Sequence, residues 1–149
     1  MSVERANLLL DAFGNIIGLA GLMLDERGYA CLTFDDLAVN IEHEPVRDSL
    51  VLFAWLGEAA RAGPELLAEL LEATLRAHAT GEPVFGYERA GDGVVLLDRL
   101  ALDGLDVTTF QARLETFLAT ADRWRRRLSR ATPARSEGDD RLLTQFMRV

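Results

Sequence analysis

Apolar residues recur along the chain with two different periods, and the longer period predicts three helices. The spacing of three or four residues that marks one helix face occurs over residues 3–17, 64–79 and 107–130. The third segment has the clearest apolar stripe, at spacings of four, three, four, three and four: Phe110, Leu114, Phe117, Ala121, Trp124 and Leu128. Gly18 and Gly81 follow the first two segments and favour helix ends there.

Five further segments favour β-strands. They cover residues 29–34, 37–43, 49–56, 84–89 and 94–101. The second alternates apolar and polar residues with period two, which is typical of a half-buried strand. The third, SLVLFAWL, is apolar on both faces. It is therefore either the central strand of the sheet or a strand with one face covered by a partner. An Asp-Gly pair between the last two strands indicates a hairpin.

The order of these elements, α-β-β-β-α-β-β-α, predicts an α+β fold, and the short turns make the sheet antiparallel. The length of 149 residues fits one domain. We place that domain at residues 1–130, followed by a linker and short apolar tail at residues 131–149. The last nine residues, RLLTQFMRV, could form an amphipathic element docked on the chain itself, a strand occupied by a partner, or a disordered end.

The net charge of −8 is distributed unevenly, and all 16 basic residues are arginine. Residues 1–122 hold 21 acidic residues and 8 arginines, a net of −13, whereas residues 123–149 hold 3 acidic residues and 8 arginines, a net of +5. The run RWRRRLSR at 123–130 could face an anionic partner. It could equally favour the helix macrodipole and pair with the acidic body. Acidity of this size argues against a nucleic-acid surface.

Several other classes of protein are excluded on composition. No apolar run approaches the ~18 residues needed to span a bilayer, and Glu4 stands where an export signal would be basic. We therefore expect a cytoplasmic protein without membrane insertion. The lone cysteine, Cys31, excludes an internal disulfide framework. We interpret it as a small buried residue rather than a nucleophile.

The sequence lacks the motifs that typically mark a catalytic or metal-binding site. The two histidines, His43 and His78, have no HxxxH or HExxH spacing, so no metal site is predicted. The glycines form neither GxGxxG nor a P-loop. The segment Asp103–Asp106 has too few oxygen ligands for an EF-hand. The sequence therefore predicts a binding protein without cofactor or metal, and not an enzyme.

A succession of short motifs then points to a family. The first helix ends in LL…FG…IGL between Leu8 and Leu19, and an L-x-L-D-x-x-G-x-x-x-L-x-F-D-D run covers Leu22 to Asp36. An apolar-x-apolar-x-E strand follows at Val39 to Glu44, and an L-x-L-x-x-x-L-G strand at Leu50 to Gly57. Over residues 5–130 this succession resembles the Tir-chaperone (CesT-type) family of type III secretion chaperones.

The resemblance implies a bacterial cytoplasmic homodimer without catalytic activity, in which a twisted antiparallel sheet is flanked by helices. Such proteins bind the N-terminal segment of a secreted effector in an extended form. They keep it soluble and export-competent, and secretion apparatus components are further possible partners. The second helix commonly lies at the dimer contact. The first helix and the sheet offer apolar grooves to the effector.

The resemblance also selects candidate site residues. The candidate effector-binding residues come from the first helix and the sheet: Leu9, Phe13, Ile17, Val39, Ile41 and Phe53. The candidate dimer-interface residues come from the second helix and the fourth strand: Leu66, Leu70, Leu71, Phe85 and Tyr87. Both sets have the alternative of an intramolecular core. The second helix is apolar over more than one face, which favours a dimer contact there.

Two rival functions remain open at this point. An immunity or antitoxin-like protein would use its acidic face to block a folded basic partner, with strong salt dependence and little need for apolar grooves. An uncharacterised enzyme would need a deep pocket lined by converging polar side chains.

Overall fold

The computed structural model describes residues 2–131, which form three α-helices and five β-strands. The helices are α1 (Ser2–Ile17), α2 (Gly63–Thr80) and α3 (Val107–Ala131). The strands are β1 (Tyr29–Phe34), β2 (Leu37–Glu44), β3 (Ser49–Glu58), β4 (Val84–Glu88) and β5 (Gly93–Ala101). They form one antiparallel sheet in the order β1-β2-β3-β5-β4. The predicted α+β class and element order are confirmed. The predictions for the tail concern residues 131–149, of which residues 132–149 lie outside the described residues.

Strand β3 lies in the middle of the sheet, third of five strands. This position explains why the segment is apolar on both faces, since Leu52, Ala54 and Leu56 on one face are buried together with Trp55 on the other. The prediction of a central strand is therefore confirmed.

The chain divides into two compact units. Unit 1 comprises the residues up to Leu52 together with Arg99–Phe117, and unit 2 comprises Phe53–Asp98 and the chain from Leu118. The core of unit 1 includes an edge-on contact between Phe13 of α1 and Phe110 of α3, with ring centroids 5.1 Å apart. Both rings are almost completely buried, which fixes α1 against the first half of α3.

In unit 2, α2 and the second half of α3 are both tied to neighbouring elements. The Phe85 ring of β4 meets the buried Trp124 ring of α3 edge-on at 5.1 Å. The Phe85 amide donates to the Thr74 hydroxyl of α2 at 3.0 Å. Arg127 of α3 pairs with Glu69 of α2 at 2.6 Å and stacks on the Trp124 ring at 4.7 Å. These contacts set β4 and both helix segments in one packed arrangement.

Two interpretations of individual residues were wrong. Cys31 is exposed, because β1 turns Ala30 and Leu32 to the core and Cys31 lies on the opposite face. Asn40 is on the polar face of the predicted alternation but is completely buried. The Tyr29 hydroxyl covers it and donates to its side-chain oxygen, so a polar residue is satisfied inside the unit rather than in water.

Candidate binding surfaces

Unit 1 exposes several apolar side chains on α1 and in the turn that follows it. We call this surface the α1 patch. Its members, with their exposed fractions, are Leu8 (71%), Ile16 (55%), Ile17 (38%), Leu19 (48%) and Met23 (61%). Single exposed apolar side chains are normal on a protein surface, but several in one short segment indicate a place where another molecule binds.

Close backbone packing holds the second part of the α1 patch in place. A Cβ atom on Gly14 would lie 2.4 Å from the Leu19 carbonyl oxygen and 2.9 Å from the Leu22 Cβ atom. Only glycine therefore lets this turn lie against α1. The Leu19 amide donates to the Gly14 carbonyl at 2.7 Å, and the Leu24 amide donates to the Asn7 side chain at 2.9 Å. The segment from Leu19 to Leu24 thus runs back along the helix.

The same segment leads directly into β1, which lies at one end of the strand order. A tight turn connects them, in which the Asp25 amide donates to the Tyr29 carbonyl at 2.8 Å. Within the described residues β1 is paired with β2 alone, from Tyr29↔Glu42 to Phe34↔Leu37. An edge strand offers a row of backbone groups to an added strand.

Burial raises the pKa of the Tyr29 hydroxyl to about 12, and the neighbouring Cys31 adds to the shift.

The predicted effector-binding residues do not form one exposed surface. Four of the six are buried: Leu9, Phe13, Val39 and Ile41 are at most 8% exposed. Ile17 belongs to the α1 patch, and Phe53 is half-buried in unit 2. The accessible side chains are instead those on the outer flank of α1. The spacing of four between Leu8, Ala12 and Ile16 was the signal that could have identified this flank.

Unit 2 contains an apolar groove of about 490 Å³, which we call the unit 2 groove. It is lined by Ala59, Ala60, Leu67, Leu70, Leu71, Thr74, Phe85, Gly86, Tyr87, Asp92 and Val94. Leu71 and Tyr87 are the most open of the large side chains, at 73% and 58% exposed, whereas Leu70 is buried. The groove therefore has a closed floor on α2 and an open rim that a partner could cover.

One end of the groove is polar and firmly held. Asp92 accepts from the Tyr87 hydroxyl at 2.8 Å and from the Ala60 amide at 3.1 Å. Its own carbonyl accepts from the Ala59 amide at 2.7 Å. The Asp92 carboxylate raises the pKa of the Tyr87 hydroxyl above its ordinary value, chiefly through this hydrogen bond. Asp92 thus connects Tyr87 on the rim of the groove to Ala59 and Ala60, which precede α2.

The unit 2 groove brings together four of the five predicted dimer-interface residues. Leu70, Leu71, Phe85 and Tyr87 all line it. Leu66 is buried and is not among the lining residues. Sequence reasoning missed Leu67, which lines the groove, and Leu75, which is 73% exposed on α2 without lining it. The role of this set as a dimer contact stays a prediction.

The polar clusters of unit 1 join α1 and β5 to the turn between β2 and β3. Arg99 donates to the Glu44 carboxylate at 2.9 and 3.3 Å, and this pairing holds the pKa of Glu44 below its ordinary value. Arg5 of α1 pairs with Asp48 at 2.9 Å. His43 hydrogen-bonds to the Ser2 hydroxyl at 2.6 Å. These contacts connect structural elements and do not converge on a pocket.

The arginine run of α3 pairs in part with acidic side chains. Arg127 contacts Glu69 of α2, as described above, and Arg126 contacts Asp122 one turn earlier at 3.1 Å. Arg123, Arg126 and Arg130 are exposed at spacings of three and four, so they lie on one side of the helix. Pairing with the acidic body therefore accounts for Arg127, while a basic side of α3 faces outward.

Within residues 2–131, no three histidine, cysteine, aspartate or glutamate side chains are placed to hold a metal ion. No helix in that part of the chain is long and apolar enough to cross a membrane.

Two solved structures of chaperones bound to other proteins share this fold. The chain superposes on the HopA1–SchA chaperone–effector complex with a TM-score of 0.75 at 22% identity, covering 85% of this chain and 97% of that one. It superposes on the Yersinia pestis type III secretion chaperone SycH, solved with a fragment of YscM2, with a TM-score of 0.66 at 20% identity, covering 79% and 98%. These superpositions show that the chain has the fold of these chaperones.

Two further matches are nearer in sequence. The transcriptional anti-antiactivator ExsC of Pseudomonas aeruginosa is 30% identical over 126 residues, which cover 84% of this chain and 86% of ExsC. The crystal structure of the ExsC–ExsE complex matches with a TM-score of 0.75 at 29% identity, covering 83% and 93%. The family model of the Tir chaperone protein (CesT) family matches residues 8–125. The chain belongs to the Tir chaperone (CesT) family.

Proposed function

We propose that the protein is a type III secretion chaperone that binds the N-terminal segment of a secreted effector in the bacterial cytoplasm. In this role it keeps the segment soluble and competent for export. The observation that carries the proposal is the α1 patch in a member of the CesT family. The patch is followed within unit 1 by β1, which lies at one end of the strand order among residues 2–131. The complexes of related chaperones with effectors support the same partner class.

An extended chain would use both features of unit 1. Its backbone would add a strand along β1, and its alternate side chains would dock on apolar surface. Leu8 and Met23 offer such surface at 71% and 61% exposure. A folded partner would need neither a strand at the end of a sheet nor several exposed apolar side chains in one short segment. The immunity-type alternative depends on acidic charge alone and gains no support from these surfaces.

We infer in addition that two copies associate through unit 2. The rim of the unit 2 groove exposes Leu71 and Tyr87, and Leu75 lies one turn further along α2. Covering these side chains removes apolar surface from water, which is the main favourable term in association. Sedimentation velocity over a dilution series tests this dimer. Leu71→Asp should shift it to monomer, and a wild-type protein that is monomeric at every concentration contradicts it.

A second function within the same family is favoured by the sequence comparison. ExsC, a transcriptional anti-antiactivator, matches at 30% identity, and its complex with ExsE at 29%. The HopA1–SchA, ExoT–SpcS and ExoU–SpcU complexes match at 13–22%. The protein would then bind a regulatory partner, and its effect would be seen in transcription. The effect of removing the chain separates the two functions, because only the regulatory function acts on transcription.

The test is purification of the chain from its native host, identification of the bound polypeptide and proteolytic mapping of the protected segment. We expect the protected residues to lie in the N-terminal part of a secreted protein. The double variant Leu8→Asp/Met23→Asp should lower partner affinity at least tenfold, since it places charge in the α1 patch. The matched control is Val46→Asp, since Val46 is 97% exposed in unit 1 but lies outside the patch.

Three results would count against the proposal. The first is that Leu8→Asp/Met23→Asp binds the partner as tightly as the wild type does, whereas Val46→Asp binds it more weakly. The protected polypeptide could be a folded domain instead of an extended N-terminal segment. Removal of the chain could change transcription in the host without changing export of the partner, and this result would favour the regulatory function.

A further inference from the structure

The negative charge of the protein is concentrated in unit 1. This unit holds 12 acidic residues and 5 arginines, a net of −7, whereas unit 2 holds 12 acidic residues and 11 arginines, a net of −1. Almost the whole excess of acidic residues therefore belongs to the unit that carries the α1 patch and β1. The sequence alone does not reveal this division, because unit 1 combines two separate stretches of the chain.

Within unit 1, residues 2–42 are the most acidic stretch, and they comprise α1, β1 and most of β2. They hold seven acidic residues: Glu4, Asp11, Asp25, Glu26, Asp35, Asp36 and Glu42. The same stretch has two arginines, Arg5 and Arg27. Arg5 pairs at 2.9 Å with Asp48, which lies outside the stretch. Arg27 is therefore the one arginine of residues 2–42 that is left to offset seven carboxylates.

The other arginines of unit 1 are held in contacts of their own. Arg99 lies 2.9 Å from the Glu44 carboxylate, and the Arg47 guanidinium lies 3.9 Å from the same group. Arg113 of α3 is not free either. Most of the positive charge of unit 1 is thus already used within the chain.

Two exposed carboxylates stand beside members of the α1 patch. Asp11 follows Leu8 by three residues on α1, so the two side chains are neighbours on the helix surface. Glu26 follows Met23 by three residues in the turn before β1 and is also exposed. Asp25 differs from both, because its carboxylate accepts from two amides of that turn at 2.8 and 3.0 Å. Apolar surface and outward negative charge therefore alternate along this part of unit 1.

Glu42 places a third exposed carboxylate near β1. It is paired in register with Tyr29, so its side chain lies on the same face of the sheet as that of Tyr29. Cys31 and Thr33 are exposed on this face. A strand added to β1 would lie two strand spacings, about 10 Å, from β2. A long basic side chain on this face of the added strand would extend toward Glu42.

A chain segment bound along these elements would lie within the field of the three carboxylates. Charges attract over about 10 Å at an ionic strength of 0.1 M. Apolar contacts that displace water lower the local dielectric and strengthen this attraction. An acidic segment would be repelled, since like charges across an interface oppose binding. Charge therefore discriminates between segments that fit the α1 patch equally well.

We propose that the segment bound by unit 1 is basic, with lysine or arginine residues between its apolar residues, and that Asp11, Glu26 and Glu42 select it. The inference rests on the proposed function and states the chemistry of the bound segment. The apolar residues of the segment dock on the α1 patch, and its basic residues face the three carboxylates. The net charge of unit 1 also steers a basic segment toward this surface and speeds its association.

The test uses a labelled synthetic peptide of the segment that the partner shows to be protected from proteolysis, with binding followed by fluorescence anisotropy. Asp11→Asn/Glu26→Gln/Glu42→Gln removes the three charges without changing side-chain size. The matched control Glu65→Gln/Glu82→Gln/Glu115→Gln removes the same charge at exposed positions outside residues 2–42. An exposed charge pair changes affinity by about 1.5- to 5-fold. We therefore expect about tenfold weaker binding for the first variant and less than twofold for the control in 50 mM NaCl.

Salt and the peptide sequence provide two further readouts. In 500 mM NaCl the difference between the wild type and Asp11→Asn/Glu26→Gln/Glu42→Gln should shrink to about twofold, because salt screens exposed charges. A peptide with its lysines and arginines replaced by glutamine should bind the wild type about tenfold more weakly. This neutral peptide should bind the wild type and the triple variant alike, which shows that the carboxylates act through the basic residues.

The uncharged variant Leu8→Ser/Met23→Ser separates this inference from the proposed function. If it weakens binding while Asp11→Asn/Glu26→Gln/Glu42→Gln binds like the wild type, the inference is overturned and the proposed function stands. A protected segment with net negative charge also overturns the inference alone. Salt-sensitive binding of a folded basic domain that is unaffected by Leu8→Ser/Met23→Ser would contradict both.

Discussion

Substitution of Gly93 by alanine tests the packing next to the turn of the β4–β5 hairpin. A Cβ atom at this position would lie 2.0, 2.3 and 2.6 Å from three atoms of the Trp55 ring. Carbon atoms in contact prefer a separation of about 3.5–4.0 Å. Either the Trp55 ring or strand β5 must therefore move by about 1.5 Å. Trp55 is 7% exposed, which leaves its rigid ring little room to withdraw.

Overpacking of a buried site costs typically about 1–3 kcal/mol. Three close contacts with one ring put Gly93→Ala at the upper end, about 3 kcal/mol. The backbone adds nothing, because φ of Gly93 is not positive. The control is Gly18→Ala, where φ is +81° and no atom lies within 4 Å of the added Cβ. Its cost is that of the left-handed backbone alone, about 1 kcal/mol.

Urea unfolding followed by tryptophan fluorescence and by circular dichroism gives the free energy of unfolding of both variants. We expect Gly93→Ala to be the less stable variant. In a double-mutant cycle, Trp55→Leu should reduce the cost of Gly93→Ala, because the smaller side chain leaves space for the Cβ atom. Gly93→Ala with a urea midpoint equal to that of Gly18→Ala, or no coupling to Trp55→Leu, would refute this packing.

Three other predictions concern unit 1. Phe13→Ala should lower the free energy of unfolding in urea by about 3–5 kcal/mol, because Phe13 is only 2% exposed and packs against Phe110. Leu8→Ala should change the free energy of unfolding by less than about 0.5 kcal/mol. Equal effects of the two substitutions would contradict the assignment of Phe13 to the core and of Leu8 to the α1 patch. Arg99 lowers the pKa of Glu44, so this pair stabilises the folded state at neutral pH and the contribution is lost as the pH falls below 4.5. Arg99→Gln should therefore lower the urea midpoint at pH 7, and its midpoint should approach that of the wild type in acid. A difference in midpoint that does not depend on pH would contradict this role of the Arg99–Glu44 pair. The Asp106 carboxylate caps α3, because it accepts a hydrogen bond from the Thr109 amide at 2.7 Å. Asp106→Ala should therefore lower the thermal midpoint, and Asp106→Asn should keep most of the wild-type stability. Equal midpoints for Asp106→Ala and the wild type would exclude a capping role.

The sequence predicted the fold in detail where local pattern and tertiary environment agree. The stripe from Phe110 to Leu128 gave α3, and the two apolar faces of residues 49–56 gave the central strand β3. Period-two alternation located β2, but it placed Asn40 on the polar face. The pattern could not reveal that Tyr29 covers this residue, because their pairing depends on the register of two strands.

The binding surfaces were less predictable, because an apolar stripe marks a core face and does not separate it from a docking face. Leu9 and Phe13 follow the stripe and are buried, whereas Leu8, beside them, is exposed. For α2 the excess of leucine over one contact face was a better signal. It directed attention to Leu71, which lines the unit 2 groove. Which side of a helix stays open depends on the packing of its neighbours.

The central claim is that unit 1 binds an extended N-terminal segment along the α1 patch and the β1 edge. Hydrogen exchange of the chain purified with its native partner, compared with the chain alone, tests it most directly. We predict slowed exchange in β1 and in residues 16–24, together with protection of the partner's N-terminal segment. Unchanged exchange in both regions of unit 1, with a folded partner bound elsewhere, would contradict the account.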